Sequence, residues 1–137
     1  MRGHGHARRR AARATYVLPQ SETSARWARH LTTAYLSHGC GETVSADRVD
    51  DATLVVSELV TNATRHGRSS CRLQLSVRDG RVTVEVHDNS PVQPRLRPMD
   101  AMAEGGRGIA MVRELSRRFA VLGGPGRGKT VQAVLAC

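Results

Sequence analysis

Aromatic side chains are scarce in this chain of 137 residues: one Trp, two Tyr and one Phe, or 3% of the total. Any core must therefore be assembled from Val, Leu, Ile and Ala, the bulk of the 39% of residues that are hydrophobic. Long apolar runs are missing too, and no stretch approaches the roughly 18 residues that a membrane span needs. The stretch Ala11 to Leu18 is interrupted by Arg13 and Thr15 and closed by Pro19. It is too short and too polar for the apolar part of a secretory signal, so Arg8-Arg9 is not read as a twin-arginine leader. The cytoplasm is the expected compartment. Cysteine is limited to Cys40, Cys71 and Cys137, odd in number and without close metal-type spacing. That excludes a disulfide framework and points to free thiols in a reducing environment.

Acidic residues are missing from one place in particular. Residues 2–13 hold five arginines and no Asp or Glu, so most of the formal net charge of +9 belongs to this segment and +4 is left for the rest. The expected organisation is a basic disordered tail over 1–13 and one domain over 14–137. The tail could attract nucleic acid or an acidic partner. It lacks an aromatic residue for base stacking, so specific nucleic-acid recognition is not expected.

The domain shows two periodicities. Tyr16-Val17-Leu18 reads as a short strand stopped by Pro19. Ser21 offers an N-cap, and Ala28, Leu31, Ala34 and Tyr35 recur at helical spacing as far as Gly39 and Gly41. A second helix is expected from Ser45 to His66, with Asp47 in its first turn and Val49, Ala52, Val56, Leu59 and Ala63 as its apolar stripe. The period then falls to two. Cys71, Leu73, Leu75 and Val77, then Val82, Val84 and Val86, alternate with polar residues around Asp79-Gly80, a strong hairpin signal. A polar loop from Asn89 to about Glu104 follows, then a helix opened by Gly108 and carrying Ile109, Met111, Val112 and Leu115. Strands from Phe119 and from Val131 to Leu135 complete the chain, and there is no internal repeat. The fold class is α+β: a two-layer sandwich, mostly antiparallel, with helices on one face of the sheet.

Three groups of residues could carry chemistry. Glu58, Asn62 and His66 are spaced by four on the second helix and share a narrow sector beside its apolar stripe. A carboxylate and an amide oxygen there suit a hard cation such as Mg²⁺, although a solvated helix flank would give the same pattern. Asp88 ends a strand, where it could accept a hydrogen bond from an exocyclic amine or simply start a turn. Gly105-Gly106-Arg107-Gly108 precedes a helix, so backbone N–H groups could approach a phosphate, with Arg107 adding charge.

Together these motifs are similar to those of the GHKL ATPase superfamily, in the form found in anti-sigma-factor serine kinases. Glu58-Leu-Val-Thr-Asn62-Ala63-Thr-Arg-His66-Gly67 resembles the N box, and Gly105-Gly106-Arg107-Gly108-Ile109 resembles the second glycine box. Gly128-Lys129-Thr130-Val131 resembles the segment that opens the final strand. The resemblance spans about residues 14–136 and implies the Bergerat fold, ATP and Mg²⁺. It implies that Asn62 coordinates Mg²⁺, that Asp88 receives the adenine amine with support from Thr130, and that Gly106 and Gly108 cradle phosphate, with Arg107 near its outer oxygens. Ile109 and His66 belong to the same boxes and are expected to line the nucleotide. Glu58 is implied as the general base on a serine hydroxyl of a partner protein. The implied partners are a sigma factor and an anti-sigma-factor antagonist, with a homodimer possible. One departure stands out: Asp88 is followed by Asn89, Ser90, Pro91 and Val92, where the family's first glycine box has glycines. That motivates an alternative, a binding module whose partner surface is set by nucleotide without phosphate transfer. A histidine kinase is disfavoured because the chain has no room for a dimerisation domain with a phosphoacceptor His.

Gly123 to Thr130 also satisfies the P-loop pattern G-x-x-x-x-G-K-[ST]. Only seven residues follow Thr130, and Val131 to Cys137 suits a terminal strand better than the helix and further strand a P-loop requires. A glycine-rich turn is the expectation.

Overall fold

The computed structural model describes residues 13–90, 104–123 and 128–136, with the side chains of residues 66 and 104–107 outside that description. Most of the basic segment and most of the polar loop after Asn89 therefore lie outside the described residues. The order of elements is β1 (Arg13–Leu18), α1 (Ser24–Ala34), α2 (Ala46–Thr61), β2 (Cys71–Arg78), β3 (Arg81–Asp88), α3 (Glu104–Leu115), β4 (Arg118–Gly123) and β5 (Lys129–Ala136). A wide π-helical turn extends α1 over Tyr35–Gly39, and another extends α2 over Asn62–His66.

The strands form one sheet in the order β1-β2-β3-β5-β4, and every described pairing is antiparallel. β5 thus enters between β3 and β4, which makes the last strand a neighbour of the first hairpin. The expected α+β architecture is what the chain adopts. Asp79 and Gly80 both take positive φ, 52° and 74°, the geometry of a tight two-residue hairpin turn whose twist suits the flanking strands.

Alternation sorts the sheet into two faces. Leu73, Leu75, Val77, Val82, Val84, Val86, Val131, Ala133 and Leu135 are buried on the helix side, against Ala52, Val55, Val56, Leu59, Val60, Ile109 and Val112. The opposite face is polar. There Gln74 and Gln132 both donate to the Glu85 carboxylate, at 3.2 and 2.7 Å, and the Thr15 hydroxyl donates to Gln74 at 3.4 Å. Among the described residues no helix is long and apolar enough to cross a membrane.

Several boundaries differ from those expected. β1 begins at Arg13, within the segment assigned to the tail, because backbone pairing with Ser76 needs no apolar side chain. Ser21 does not cap α1. Its hydroxyl accepts from the Thr23 N–H in a preceding turn, and the helix starts at Ser24. Ala34 is exposed, and Thr32 takes the inward place, its hydroxyl satisfied by the Ala28 carbonyl at 2.7 Å. Ser45 does cap α2, accepting the Arg48 N–H at 3.2 Å. Helix α3 opens at Glu104, four residues before Gly108, so the glycine box forms its first turn. Glycine's low helix propensity hides that turn in the sequence.

Candidate functional site

The site residues gather where the end of α2, the start of α3, the end of β3 and the start of β5 meet. Glu58, half-buried, is tied to α3 by close packing: a Cβ on Gly108 would collide with its carboxylate, lying 2.9 Å from Cδ and 3.5 Å from Cγ. Only glycine leaves room for the carboxylate to lie against that backbone. Glu58 and Gly108, 50 residues apart, are therefore brought together. Ile109, next along, is buried at 4% exposure and anchors this end of α3 in the core. Asn62 begins the π-helical turn one helical turn after Glu58 and is half-buried. Gly106 sits in the first turn of α3; the side chains of His66 and Arg107 lie outside the described part of the structure.

The end of α2 is also clasped to the end of β3. Gly67 follows the π turn, its N–H bonding the Asn62 carbonyl at 2.9 Å, and a Cβ there would press on Ser90, 3.1 Å from its Cβ. The Asn89 N–H reaches the Ser69 hydroxyl at 3.4 Å. These contacts place Asp88 beside the end of the N-box helix.

Asp88 occupies the next inward-facing place after Val86, where alternation calls for an apolar residue, and is 2% exposed. Its cross-strand partner in β5 is Lys129, equally buried at 2%. The Lys129 ammonium lies 3.0 Å from Oδ1 and 3.1 Å from Oδ2 of Asp88. Oδ1 also accepts the Ser90 N–H at 2.8 Å. Across β2, Cys71 is the register partner of Asp88, and its buried thiol is pushed up to about 11, first by desolvation and then by the nearby carboxylate charge.

Thr130, which the resemblance gives as support for the contact at Asp88, lies on the other face of the sheet, its hydroxyl 2.8 Å from His87 Nδ1. Lys129 stands at the helix-facing position instead. In the sequence Lys129 stands in two motifs, the segment that opens the final strand and the P-loop pattern, and neither gives it this place. The period-two series Val131, Ala133, Leu135 extends back to 129 and was the available signal. No helix follows Thr130 either, since Lys129–Ala136 is strand throughout.

Residues 18–135 match the family model described as a histidine kinase-like ATPase domain. The chain belongs to that family. This histidine kinase-like ATPase domain shares its fold with solved structures. One holds the RsbU and RsbW domains of Rv1364c from Mycobacterium tuberculosis, with TM-score 0.68 at 21% identity over 90% of this chain and 32% of that one. Another is the histidine kinase domain of a blue-light activated histidine kinase from Erythrobacter litoralis EL346, with TM-score 0.54 at 23% identity over 86% of this chain and 61% of that one. At such identities the likeness is one of fold, and the domain spans less than two thirds of either chain. Among curated proteins none matches the sequence.

Family membership makes ATP the ligand against which the residues must be tested. The α2–α3 end fits it: Glu58 and Asn62 offer oxygens beside a glycine-lined helix start. Among the described residues no group of three His, Cys, Asp or Glu could cage a metal. At the strand end the acceptor is present in Asp88, but Lys129 already holds it. A separate cavity of about 660 Å³, lined by Glu22, Thr61, Thr64, Arg65 and Arg68 among others, opens between the β1–α1 turn and the end of α2 and contains none of these site residues.

Proposed function

We propose that this domain is an ATP-dependent protein-serine kinase of the cytoplasm that binds a sigma factor and phosphorylates an anti-sigma-factor antagonist. The observation that carries the reading is the Glu58 carboxylate packed on Gly108, which sets a proton acceptor against the start of the glycine-box helix. Bound ATP with Mg²⁺ would supply the phosphoryl group and neutralise its charge. Asn62 would hold the metal, Gly106 in the first turn of α3 would leave its backbone N–H open to phosphate, Gly108 would keep room for Glu58, and Arg107 would add positive charge. Glu58 would take the proton from an attacking serine hydroxyl, and positioning would supply most of the rate. Asp88 would mark the base end. The likeness of fold to a chain with an RsbW domain supports the choice of pathway.

The test is transfer of labelled phosphate from ATP to a candidate antagonist. Glu58→Gln should lower it by about 10²–10⁴-fold without unfolding the domain. Undiminished transfer would remove the assigned base. A second reading, a module that binds nucleotide and partner without transferring phosphate, is favoured by Asn89-Ser90-Pro91-Val92 standing where the family's first glycine box has glycines. Sustained transfer by the wild type eliminates it. The arginines of residues 2–13 would draw the domain to an acidic partner or to nucleic acid. Deleting that segment should then flatten the salt dependence of binding.

A further inference from the structure

We propose that Lys129 is an internal competitor for the base of the nucleotide: its ammonium occupies the Asp88 carboxylate, and a purine amine can be received there only when the two part. This rests on the reading of the α2–α3–β3–β5 junction as an ATP site.

Three observations carry it. First, Asp88 already accepts three hydrogen bonds, one from the Ser90 N–H and two contacts from Lys129 Nζ, on both of its oxygens. A carboxylate offers about four lone-pair sites, so little capacity remains for an incoming amine. Second, the bonds from the ammonium join two full charges at 2% exposure, and charge-assisted bonds are roughly twice as strong as those a neutral exocyclic amine can make. The amine therefore loses a direct contest. Third, the backbone of Lys129 is held in the β3–β5 ladder opposite Asp88, and the preceding Gly128, at φ +73°, passes so close that an added Cβ would collide with the Asp88 carbonyl and lie 2.8 Å from Asn89 Cα. Parting the two charges therefore falls to the lysine side chain.

The cross-strand register makes this a property of the fold. Asp88 and Lys129 are Cα partners on the inward face, whereas Thr130, a neutral donor, is turned to the outer face. A neutral side chain at 129 would leave the carboxylate unpaired, and a base amine would then be its best available partner. Weak binding of adenine nucleotide by the wild type follows, with affinity set by residue 129.

Calorimetric titration of the full chain with Mg-ATP tests the proposal on wild type, Lys129→Thr, Lys129→Arg and the double variant Lys129→Thr with Asp88→Ala. Lys129→Thr should bind about tenfold tighter than wild type. The double variant should lose that gain, and Lys129→Arg, which keeps a cation on Asp88, should gain nothing. Where Lys129→Thr is too unstable for titration, it is read instead by its rise in melting temperature on adding ATP, expected to exceed that of the wild type. Equal or weaker ATP binding by Lys129→Thr, with wild-type binding intact and dependent on Asn62, overturns the competitor alone. Folded wild type and variants that all fail to bind ATP overturn the nucleotide site as well.

Discussion

The two ends of the candidate site are built on opposite plans. At the helix end, Glu58 and Asn62 are half-buried on α2, and glycine at 108 leaves room for the carboxylate against the α3 backbone. At the strand end, Asp88 is fully buried and both of its oxygens meet a lysine. One end packs a half-buried carboxylate against a glycine backbone, and the other is built around a buried ion pair. An acidic residue in a family position thus does not by itself report an available acceptor; its cross-strand neighbour decides that.

Substitutions can break this contrast from either side. The largest loss of stability is expected for Lys129→Met, which strands the Asp88 carboxylate without its partner. Removing one member of a buried pair costs about 3–5 kcal/mol, measurable by urea unfolding, and Asp88→Leu added to it should restore most of the loss. A single variant within 1 kcal/mol of wild type would show that the pair is not the closed, dry unit described. Gly108→Ala should act differently. The new methyl displaces the flexible end of Glu58, while alanine gains up to about 1 kcal/mol of helix propensity, so stability stays within about 1 kcal/mol of wild type. Phosphate transfer should nevertheless fall by about 10²-fold or more, since the displaced group is the assigned base. A Gly108→Ala protein with full transfer would separate Glu58 from the chemistry.

The third test uses pH. The Cys71 thiol is raised from 9.0 to about 11 in the folded state, so the folded protein favours the protonated form. Its contribution to stability is whole below pH 9.0 and is lost as pH climbs through about 11. Denaturation midpoints should therefore drop over that interval in the wild type and drop less in Cys71→Val. Alkylation of Cys71 at neutral pH should be slow and should quicken in Asp88→Asn, which removes the neighbouring charge. The smallest effect belongs to the outer face. Thr130→Ala removes the bond to His87 and should cost about 0.5–1.5 kcal/mol, while shifting ATP affinity less than any change at residue 129. A larger change in affinity than Lys129→Thr produces would return Thr130 to the site.

Local rules account for what was legible in the chain. Asp79-Gly80 announces its turn because few other dipeptides tolerate two successive positive φ values, and Ser45 announces its helix because its hydroxyl can satisfy a terminal N–H. The N box was readable because its residues lie on one helix at fixed spacing. The pairing of Asp88 with Lys129 spans 41 residues and exists only because β5 inserts beside β3, an order that no periodicity reveals. The early start of α3 was hidden for a related reason. Three glycines read as loop, yet Gly108 is drawn into the helix by its fit to a carboxylate from elsewhere in the chain. The outward face of Thr130 and the inward face of Lys129 follow from one further step, counting the alternation backwards from Val131.

The row of amides around Glu85 has a further effect, on how this protein can associate. A neighbour laid flat over those strands would have to strip water from groups already committed to each other, and a second copy would bring one Glu85 towards another. The large apolar side chains left exposed on the sheet stand instead on its edge strands. There β1 and β4 each have one described pairing side, and Val17, Val121 and Leu122 stand 77%, 37% and 52% exposed.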